Sequence, residues 1–397
     1  MRRGSWRVVG VGVVVALLCL GQGAGGANAA ATPSRLLTIT IPARSGEVAS
    51  TWLGYSGPPR ANVLLPAGYD PHRRYPLLVL LHGLNSNYAW YAQSGLAGLF
   101  THLDAIVVMP EGASGWYTDW WNDGQRGNPG WESYALDEVL PTILAKYPIL
   151  PDRRYHAIAG ISMGGLGAPY LGGRLPGFFG TVASLSGFVD PRWYALITAP
   201  AMGLTSLAPL HGDLNLSPVE GPANGFYMVG HNPTDLVTNL KQTRVFVTTG
   251  TGAPSASAAY NIPGSNEEGQ IIYPMNQLFH AALVKAGVDV TYSEQAGGHD
   301  LPSFANEIRA MLAWGLFKPV ETHPTSWVND TVATTGHLWD ISYGFSRPPD
   351  RLVELRRHGD VLSISAAGTD VTLVTANGCV LHAHTPATLR LPAVGCP

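Results

Sequence analysis

Short apolar segments of strand character alternate with helical segments over most of the chain, and this alternation limits the folds that the sequence can adopt. The apolar segments are 75–81, 105–109, 155–159, 181–186, 244–249 and 288–293, and the helical ones are 133–146, 273–285 and 304–317. Strands that are apolar on both faces are typical of a parallel sheet with helices packed against each side. The sequence therefore predicts an α/β fold built on a mostly parallel, doubly wound sheet.

The pentapeptide Gly160-Ile161-Ser162-Met163-Gly164 directly follows one of these strands and precedes a run of small residues. A G-x-S-x-G pattern in this place is typical of a nucleophile elbow, a sharp strand-to-helix turn that presents a serine hydroxyl above the sheet. A serine hydroxyl becomes a useful nucleophile only beside a base, which a carboxylate must orient. Ser162 is therefore the candidate nucleophile, and its partners must be sought later in the chain.

The expected base lies after the last strand of the sheet. His299 follows the segment 288–293 within a short loop, whereas His280 falls inside the predicted helix 273–285. We therefore expect His299 to be the base and His280 to be structural.

The carboxylate is less well defined. It usually follows the penultimate strand, but here the loop after 244–249 carries no carboxylate before Glu267 and Glu268. Asp235 is the other serious candidate. The residues alone leave all three open.

A serine that attacks a carbonyl also needs donors for the tetrahedral oxyanion. One expected donor is the N–H group after the nucleophile, that of Met163, and the second comes from a loop after an early strand. Here that loop begins with His82-Gly83-Leu84. We predict that the N–H groups of Leu84 and Met163 form the oxyanion hole.

Together these segments resemble the esterase family that includes esterase D and the antigen 85 mycolyltransferases. The resemblance covers residues 60–318, and the matching segments are 80–84 (Leu-Leu-His-Gly-Leu), 117–120, 160–165, 261–263 (Asn-Ile-Pro) followed by Glu268, and His299 with the helix ending at Met311. It implies an α/β-hydrolase fold and favours Glu268 as the triad acid, with Glu267 one residue away. At Asn85 and at Asp300-Leu301 the chain departs from residues that help to bind trehalose in the antigen 85 proteins.

The resemblance therefore implies a serine carboxylic-ester hydrolase that acts on ester or acyl-lipid substrates through an acyl-enzyme at Ser162. Two alternatives stay open. One is an acyltransferase of the mycolyl or diacylglycerol type, acting on cell-envelope lipids, sugars or glycolipids. The other is a non-catalytic wall-binding protein of the same fold.

An aromatic loop follows the second strand and could form a wall for the substrate or a lid packed on itself. Its large side chains are Trp116, Tyr117, Trp120, Trp121 and Trp131. Trp116 and Trp120, together with His82, are the candidate substrate contacts, and Asp119 is expected to fix the loop.

The N-terminus has the pattern of an export signal. Arg2, Arg3 and Arg7 precede the apolar run 8–20, and Ala27-Asn28-Ala29 supplies small residues for cleavage. The pattern predicts a signal peptide over 1–29, with a permanent membrane anchor as the alternative, and a secreted or envelope-associated protein with no later span. Cys379 and Cys396 are then the remaining cysteines, and an exported chain favours a disulfide between them.

After residue 318 the pattern changes to short strands at 338–342, 351–357, 361–365, 371–375 and 380–384. This predicts a small all-β domain over 319–397, after an esterase domain over 30–318. His382 and His384 share one face of a strand, but a third ligand is missing nearby, so we expect surface histidines and neither metal nor cofactor. The net charge of −3, without a run of basic residues longer than two, argues against a nucleic-acid partner.

Overall fold

The computed structural model describes residues 32–44, 47–48, 57–198, 216–254, 267–392 and 396. The predicted signal peptide and the segment 261–263 lie outside the described residues. Within the described part of the chain, no helix combines the length and the apolar character needed to cross a membrane.

Eighteen strands are present among the described residues, ten of them before residue 300. These ten are β1 (Arg35–Thr40), β2 (Arg60–Leu65), β3 (Leu77–Leu81), β4 (Ile106–Pro110), β5 (Asp119–Trp120), β6 (Gly127–Gly130), β7 (His156–Ile161), β8 (Thr181–Leu185), β9 (Arg244–Gly250) and β10 (Val290–Gln295). The helices are α1 (Trp90–Gln93), α2 (Trp131–Ser133), α3 (Leu140–Lys146), α4 (Met163–Arg174), α5 (Pro191–Trp193), α6 (Ser217–Glu220), α7 (Phe226–Val229), α8 (Tyr273–Ala286) and α9 (Leu301–Trp314).

Short segments of tighter or wider helix complete these elements. The 3-10 segments are Leu96–Phe100, Asn122–Gly124, Arg153–Tyr155 and Val237–Leu240, and the π-helical segments are Tyr134–Val139, Tyr194–Thr198 and Glu268–Ile272. The π-helical segment Tyr134–Val139 joins α2 to α3, so the predicted helix 133–146 exists as one helical run with an internal π turn.

The central sheet has eight strands in the order β1-β2-β4-β3-β7-β8-β9-β10. From β4 to β10 neighbouring strands are parallel, while β1 and β2 are antiparallel additions at one edge. The prediction of a mostly parallel sheet is confirmed. The two edge strands were not predicted, because β1 is half exposed and both carry polar residues among their apolar ones.

Alternate side chains of the parallel strands enter two separate cores, one on each face. In β3, Leu77, Val79 and Leu81 pack with residues of α3, α4 and α8. Leu78 and Leu80 pack on the other face with residues of α1 and α9. Helices therefore cover both faces, as the double-sided apolar strands indicated.

The last helix begins earlier than the sequence pattern indicated. Asp300 accepts a hydrogen bond from the N–H of Ser303 at 2.9 Å and caps α9, which starts at Leu301 rather than at residue 304. Such a cap satisfies an N–H group that has no acceptor within the helix. The start of α9 immediately after Asp300 keeps the loop that carries His299 short.

Beyond α9 lie two four-stranded sheets, here called the C-terminal sandwich. Its strands are β11 (Ser326–Thr331), β12 (Thr335–Leu338), β13 (Ile341–Phe345), β14 (Val353–His358), β15 (Val361–Ile364), β16 (Asp370–Thr375), β17 (Val380–His384) and β18 (Ala387–Arg390). The sheet orders are β11-β14-β15-β18 and β12-β13-β16-β17, and both sheets contribute to one hydrophobic core. All-β structure after residue 318 is thus confirmed, whereas the exact domain limits stay a prediction.

One predicted strand of the sandwich, 338–342, is wrong. The chain turns at Trp339, which has a φ of +52°, so that Leu338 ends β12 and Ile341 begins β13. The sequence pattern also missed β11 and β18. The disulfide between Cys379 and Cys396 is present, with a Cα–Cα distance of 5.1 Å.

The sandwich contacts the end of α4. Arg174, the last residue of this helix, donates from Nη2 to the carbonyl oxygen of Thr335 (2.9 Å) and from Nη1 to the hydroxyl of Tyr343 (3.2 Å). Asn239 and Asp330 exchange two further hydrogen bonds of 2.7 and 2.9 Å across the same boundary. Helix α4, which begins at the elbow, therefore ends against the sandwich.

Candidate active site

Ser162 occupies a sharp turn between β7 and α4. Its backbone has φ 58° and ψ −118°, a conformation that costs a non-glycine residue free energy and is concentrated at functional sites. The neighbouring glycines are required by close contacts. A Cβ atom on Gly160 would lie 2.1 Å from the carbonyl oxygen of Gly164, and one on Gly164 would lie 2.3 Å from that of Leu81. The strained turn and its glycines are typical of a nucleophile elbow, as the sequence predicts for Ser162.

His299 lies in the short loop between β10 and α9, and its side chain is 10% exposed. Its Nδ1 atom is 2.7 Å from Oε2 of Glu268, a residue with no exposed surface at the start of the π-helical segment before α8. The carboxyl ends of β7 and β10, which precede Ser162 and His299, lie at the same edge of the sheet because both strands belong to its parallel part. His299 and Glu268 are therefore brought together at the edge that also carries the elbow.

The other oxygen of Glu268 is held by donors from two strand ends. Oε1 accepts hydrogen bonds from Oγ of Ser186 (2.7 Å), Oγ1 of Thr249 (2.8 Å) and the N–H of Gly250 (2.8 Å). Hydrogen bonds to an ionised carboxylate stabilise its charge and fix its orientation. Glu268 thus presents one oxygen to His299 in a fixed direction.

The surroundings of His299 favour the protonated imidazole. Burial alone would lower the pKa of His299, but the hydrogen bond and the charge of Glu268 outweigh it, and Glu267 and Asp300 add to the rise. The pKa of His299 therefore lies above its ordinary value. A base of this kind accepts a proton readily from a nearby hydroxyl group.

The two other acid candidates occupy different surroundings. Glu267 is partly exposed and adds only negative charge near His299. Asp235 accepts two hydrogen bonds of 2.6 Å from Arg192 and one of 2.7 Å from Asn232. Its carboxylate is committed to this ion pair.

The loop after β3 lies against the nucleophile. A Cβ atom on Gly83 would be 3.4 Å from Cβ of Ser162, which is ordinary van der Waals contact, so this loop packs directly against the elbow. Met163 is the first residue of α4, where the N–H group has no acceptor within the helix. Leu84 is partly buried in the loop itself.

His82 holds this loop rather than facing a substrate. Its ring is 1% exposed, with Nδ1 2.8 Å from the carbonyl oxygen of Gly83 and Nε2 accepting the N–H of Gly112 at 3.0 Å. Both ring nitrogens are thus used inside the protein, and the expected contact between His82 and a substrate is not supported by this geometry.

The aromatic loop is largely packed on itself. Trp116 is 2% exposed and meets Phe188 edge to face, with ring centroids 5.3 Å apart. A Cβ atom on Gly115 would lie 1.9 Å from the ring of Trp131, which shows how closely the loop folds over that side chain. Trp120 is only half-buried and donates from Nε1 to the carbonyl oxygen of Gly115 at 3.2 Å. The burial of Trp116 and Trp131 agrees with a lid that packs on itself. Trp120 keeps accessible surface that a substrate could contact.

Sequence reasoning missed three residues around Glu268, namely Ser186, Thr249 and Glu307. Glu307 has no exposed surface, and one of its oxygens lies 2.6 Å from Oγ of Ser186. The sequence does contain one sign of Glu307: this carboxyl lies between Phe304 and Met311 on the apolar, buried face of α9. A carboxyl group within an apolar helix face calls for an explanation.

A second cluster of buried charges lies at the other end of α4. Glu132 accepts hydrogen bonds of 2.5 Å from Nε of Arg174 and from the hydroxyl of Tyr170, and Nε2 of His231 is 3.8 Å away. Burial raises the pKa of Glu132, but the charge of Arg174, the neighbouring His231 and the hydrogen bond from Tyr170 outweigh it and bring the pKa to about 2. Glu132 is therefore an anion at every physiological pH.

Asp119 lies beside this cluster and borders a cavity of about 600 Å³, which is lined by residues of the aromatic loop, of α4 and of the sandwich. Its two carboxylate oxygens accept hydrogen bonds from the N–H (2.9 Å) and the hydroxyl (2.5 Å) of Ser133. Burial and the negative charge of Glu132 raise the pKa of Asp119 to about 6. These bonds agree with the expectation that Asp119 fixes the aromatic loop.

The expectation of a metal-free protein rests on residue types alone. His384 pairs with Asp370 at 2.6 Å, and His382 lies 3.0 Å from the hydroxyl of Thr372. In the described part of the chain, no three His, Cys, Asp or Glu residues are grouped so that they could hold a metal ion.

A family model described as "Putative esterase" matches residues 55–314, well over half of the chain. The chain belongs to this esterase family. Esterase Rv1288 of Mycobacterium tuberculosis is 29% identical over 256 residues, which are 61% of this chain and 52% of that protein. The diacylglycerol acyltransferase/mycolyltransferase Ag85C of Mycobacterium leprae is 27% identical over 223 residues, which are 53% of this chain and 64% of that protein. The chain spans about half to two thirds of the length of these curated relatives.

Solved structures agree with the fold assignment. The crystal structure of Mycobacterium tuberculosis MPT51 superposes with a TM-score of 0.55 at 21% identity, over 72% of this chain and 99% of that one. A ferulic acid esterase gives a TM-score of 0.51 at 21% identity, over 72% of this chain and 98% of that one. At this identity the likeness shows the α/β-hydrolase fold, which the sequence predicted, and the esterase family confirms the resemblance to esterase D and antigen 85.

Proposed function

We propose that this esterase-family protein is a serine carboxylic-ester hydrolase that forms its acyl-enzyme on Ser162. The observation that carries the proposal is the 2.7 Å contact between Nδ1 of His299 and the fully buried Glu268, at the sheet edge that bears a strained elbow. Family membership supports the reaction class, because the relatives are named as esterases and acyltransferases.

In the proposed first step, Oγ of Ser162 attacks the ester carbonyl while Nε2 of His299 accepts its proton. Glu268 receives the hydrogen bond from Nδ1, which leaves Nε2 free to act as the base, and its charge stabilises the imidazolium that forms. The N–H groups of Met163 and Leu84 donate to the oxyanion. The imidazolium then protonates the departing alcohol, and the acyl group remains on Ser162.

In the second step, water gives a proton to Nε2 of His299 as it attacks the acyl-enzyme. The tetrahedral intermediate then collapses, the imidazolium returns the proton to Oγ of Ser162, and the carboxylic acid is released. The base form of His299 is needed in both steps. Since Glu268 raises the pKa of His299, the proposed enzyme works best in neutral to mildly alkaline solution.

An acyltransferase is the second candidate, and the similarity to Ag85C of Mycobacterium leprae favours it. The acyl-enzyme is common to both reactions, and only the second acceptor differs, a sugar or glycerol hydroxyl in place of water. Ester or acyl-lipid substrates, including an envelope glycolipid, are therefore part of the proposal. We also propose export through the signal pattern of residues 1–29 and a secreted or envelope-associated location.

A fluorophosphonate probe tests the nucleophile, because it reacts only with a serine that a base activates. The wild-type protein is expected to gain one covalent label on Ser162, and Ser162→Ala none, with equal thermal unfolding of the two proteins. If correctly folded wild-type protein stays unlabelled, the catalytic proposal fails and a binding role without catalysis takes its place. Intact-mass detection with esters of graded chain length, with and without glycerol or a sugar, then separates hydrolysis from transfer.

A further inference from the structure

The hydroxyl of Ser186 lies between two buried carboxyl groups. Its Oγ is 2.7 Å from Oε1 of Glu268 and 2.6 Å from Oε1 of Glu307. Ser186 directly follows β8 with a φ of +42°, and its N–H donates to the carbonyl oxygen of Thr248 at 2.8 Å. The hydroxyl is therefore held between the two groups by a fixed backbone.

Proton counting decides the direction of these hydrogen bonds. A serine hydroxyl has one proton and can donate to only one of the two carboxyl groups, so the other contact needs a proton from the carboxyl itself. Two carboxylate anions around a single donor would leave one oxygen–oxygen contact of 2.6 or 2.7 Å without a hydrogen. At least one of Glu268 and Glu307 is therefore protonated.

The surroundings identify Glu307 as the protonated group. Glu268 faces four donors, from His299, Ser186, Thr249 and Gly250, and such a set stabilises a carboxylate anion. Glu307 has one close hydrogen-bond contact, to Ser186, and Gln295 contributes less. Among the described residues no hydrogen-bond partner reaches its buried Oε2 atom. Burial, and then the charge of Glu268, also raise the pKa of Glu307 well above its ordinary value.

We propose that Glu307 is a positioning residue whose protonated carboxyl donates to Ser186, which donates in turn to Glu268, so that a hydrogen-bonded chain runs from Glu307 to His299. This inference rests on the proposed triad. The neutral acid supplies a donor without adding a second negative charge beside Glu268. The chain disperses the charge of Glu268 and holds its Oε2 atom toward His299, which keeps the proton of Nδ1 on the histidine.

Two substitutions separate hydrogen bonding from packing. Glu307→Gln keeps the shape and donates an amide proton to Ser186, whereas Glu307→Leu fills a similar space without any donor. We expect kcat to stay within about threefold of wild type in Glu307→Gln and to fall by about tenfold or more in Glu307→Leu, with KM little changed, since a hydrogen bond that acts on a charged group is lost.

The pH profile distinguishes positioning from a merely structural role. Without the hydrogen bond from Glu307 through Ser186, the negative charge of Glu268 is less dispersed and stabilises the imidazolium of His299 more strongly. The acid limb of kcat/KM should therefore move up by about half a pH unit in Glu307→Leu and stay in place in Glu307→Gln. A structural role would change stability and leave the limb where it is. Unchanged kcat and an unchanged limb in Glu307→Leu would overturn the inference.

An infrared difference spectrum, wild type minus Glu307→Gln, tests the protonation state without reference to activity. We expect the C=O stretch of a protonated carboxylic acid in neutral buffer. A carboxylate band in its place would overturn the proposed hydrogen bonds from Glu307 to Glu268, and this test does not require that Glu307→Leu folds. Should wild-type protein bind no fluorophosphonate, the proposed function fails and the catalytic role of the chain with it. If the spectrum of that unlabelled protein still shows the protonated carboxyl of Glu307, the proposed function is wrong but the hydrogen-bond pattern is correct.

Discussion

Helix α4 begins at the candidate nucleophile and ends at Arg174, so it connects two sites that each contain a buried glutamate. Near its start, Glu268 binds the imidazole of His299, and at its end Glu132 binds the guanidinium of Arg174. Both carboxylates are buried and both are held by several donors. They differ in the group opposite them.

An imidazole exchanges a proton near neutral pH, whereas a guanidinium keeps its charge under all physiological conditions. The pair Glu268–His299 can therefore take part in proton transfer, while the pair Glu132–Arg174 can only stabilise the structure around it. Of these two buried carboxylates, only Glu268 therefore has a partner that can exchange a proton, and only its site is a candidate for proton transfer.

The largest expected effect is on activity at the first site. Glu268→Gln removes the charge that stabilises the His299 imidazolium, and kcat for a short-chain nitrophenyl ester should fall by about a thousandfold to ten-thousandfold. Thermal unfolding should change little by comparison. The matched control is Glu267→Gln, which should stay within a few fold of wild type; the opposite ranking would move the acid by one residue.

At the second site the expected loss is in stability. Arg174→Met leaves Glu132 buried without its cation, which should lower the free energy of unfolding in urea by about 3–5 kcal/mol. Activity per folded molecule should be close to that of wild type. The double variant Glu132→Gln/Arg174→Met should recover much of the stability, and if it is less stable than Arg174→Met alone, the pair is not the cause.

A smaller effect is expected from pH at Asp119, beside the second site. Its folded-state pKa of about 6 lies above the ordinary value of 3.8, so folding favours the protonated form. This contribution is fully present below pH 3.8 and is lost as the pH rises through 6. Asp119→Asn cannot ionise, and relative to wild type it should gain roughly 2 kcal/mol of stability between pH 4 and pH 7, reduced from the full linkage value by partial exposure.

Urea unfolding of both proteins at a series of pH values measures this gain. Wild type and Asp119→Asn should be most alike at the acid end of the range. A constant difference across all pH values would mean that the hydrogen bonds to Ser133, and not the ionisation of Asp119, set the stability.

The sequence allowed the sheet and the elbow to be predicted because their signals are local. Strands such as β3 and β4 are apolar on both faces, and the pentapeptide around Ser162 shows its glycine spacing directly. The edge strand β1 lacks such a signal, since its burial comes from one face only. The break between β12 and β13 depends on the unusual backbone of Trp339, which no apolar pattern records.

The candidate site was predictable only in part, because its residues meet through the fold rather than along the chain. Glu268 and His299 are 31 residues apart, and Glu268 contacts Ser186 across 82 residues. The order of the triad residues along the chain predicted His299 as the base. The choice among the three candidate acids could be narrowed only through the family resemblance. The pair Glu132–Arg174, 42 residues apart, carries no motif at all.

The contact between Arg174 and the sandwich limits how such proteins can exchange modules during evolution. Two of the guanidinium nitrogens donate to Thr335 and Tyr343, and Val332 and the backbone of Trp339 lie so close to Gly230 and Gly177 that a Cβ atom on either glycine would collide with them. If recombination joined this esterase to a different C-terminal module, the guanidinium of Arg174 would lose its acceptors in Thr335 and Tyr343. The surfaces at Gly177 and Gly230 would lose the residues that pack on them. A module that replaced the sandwich would therefore have to supply other acceptors for these donors, or the end of α4 would have to change as well.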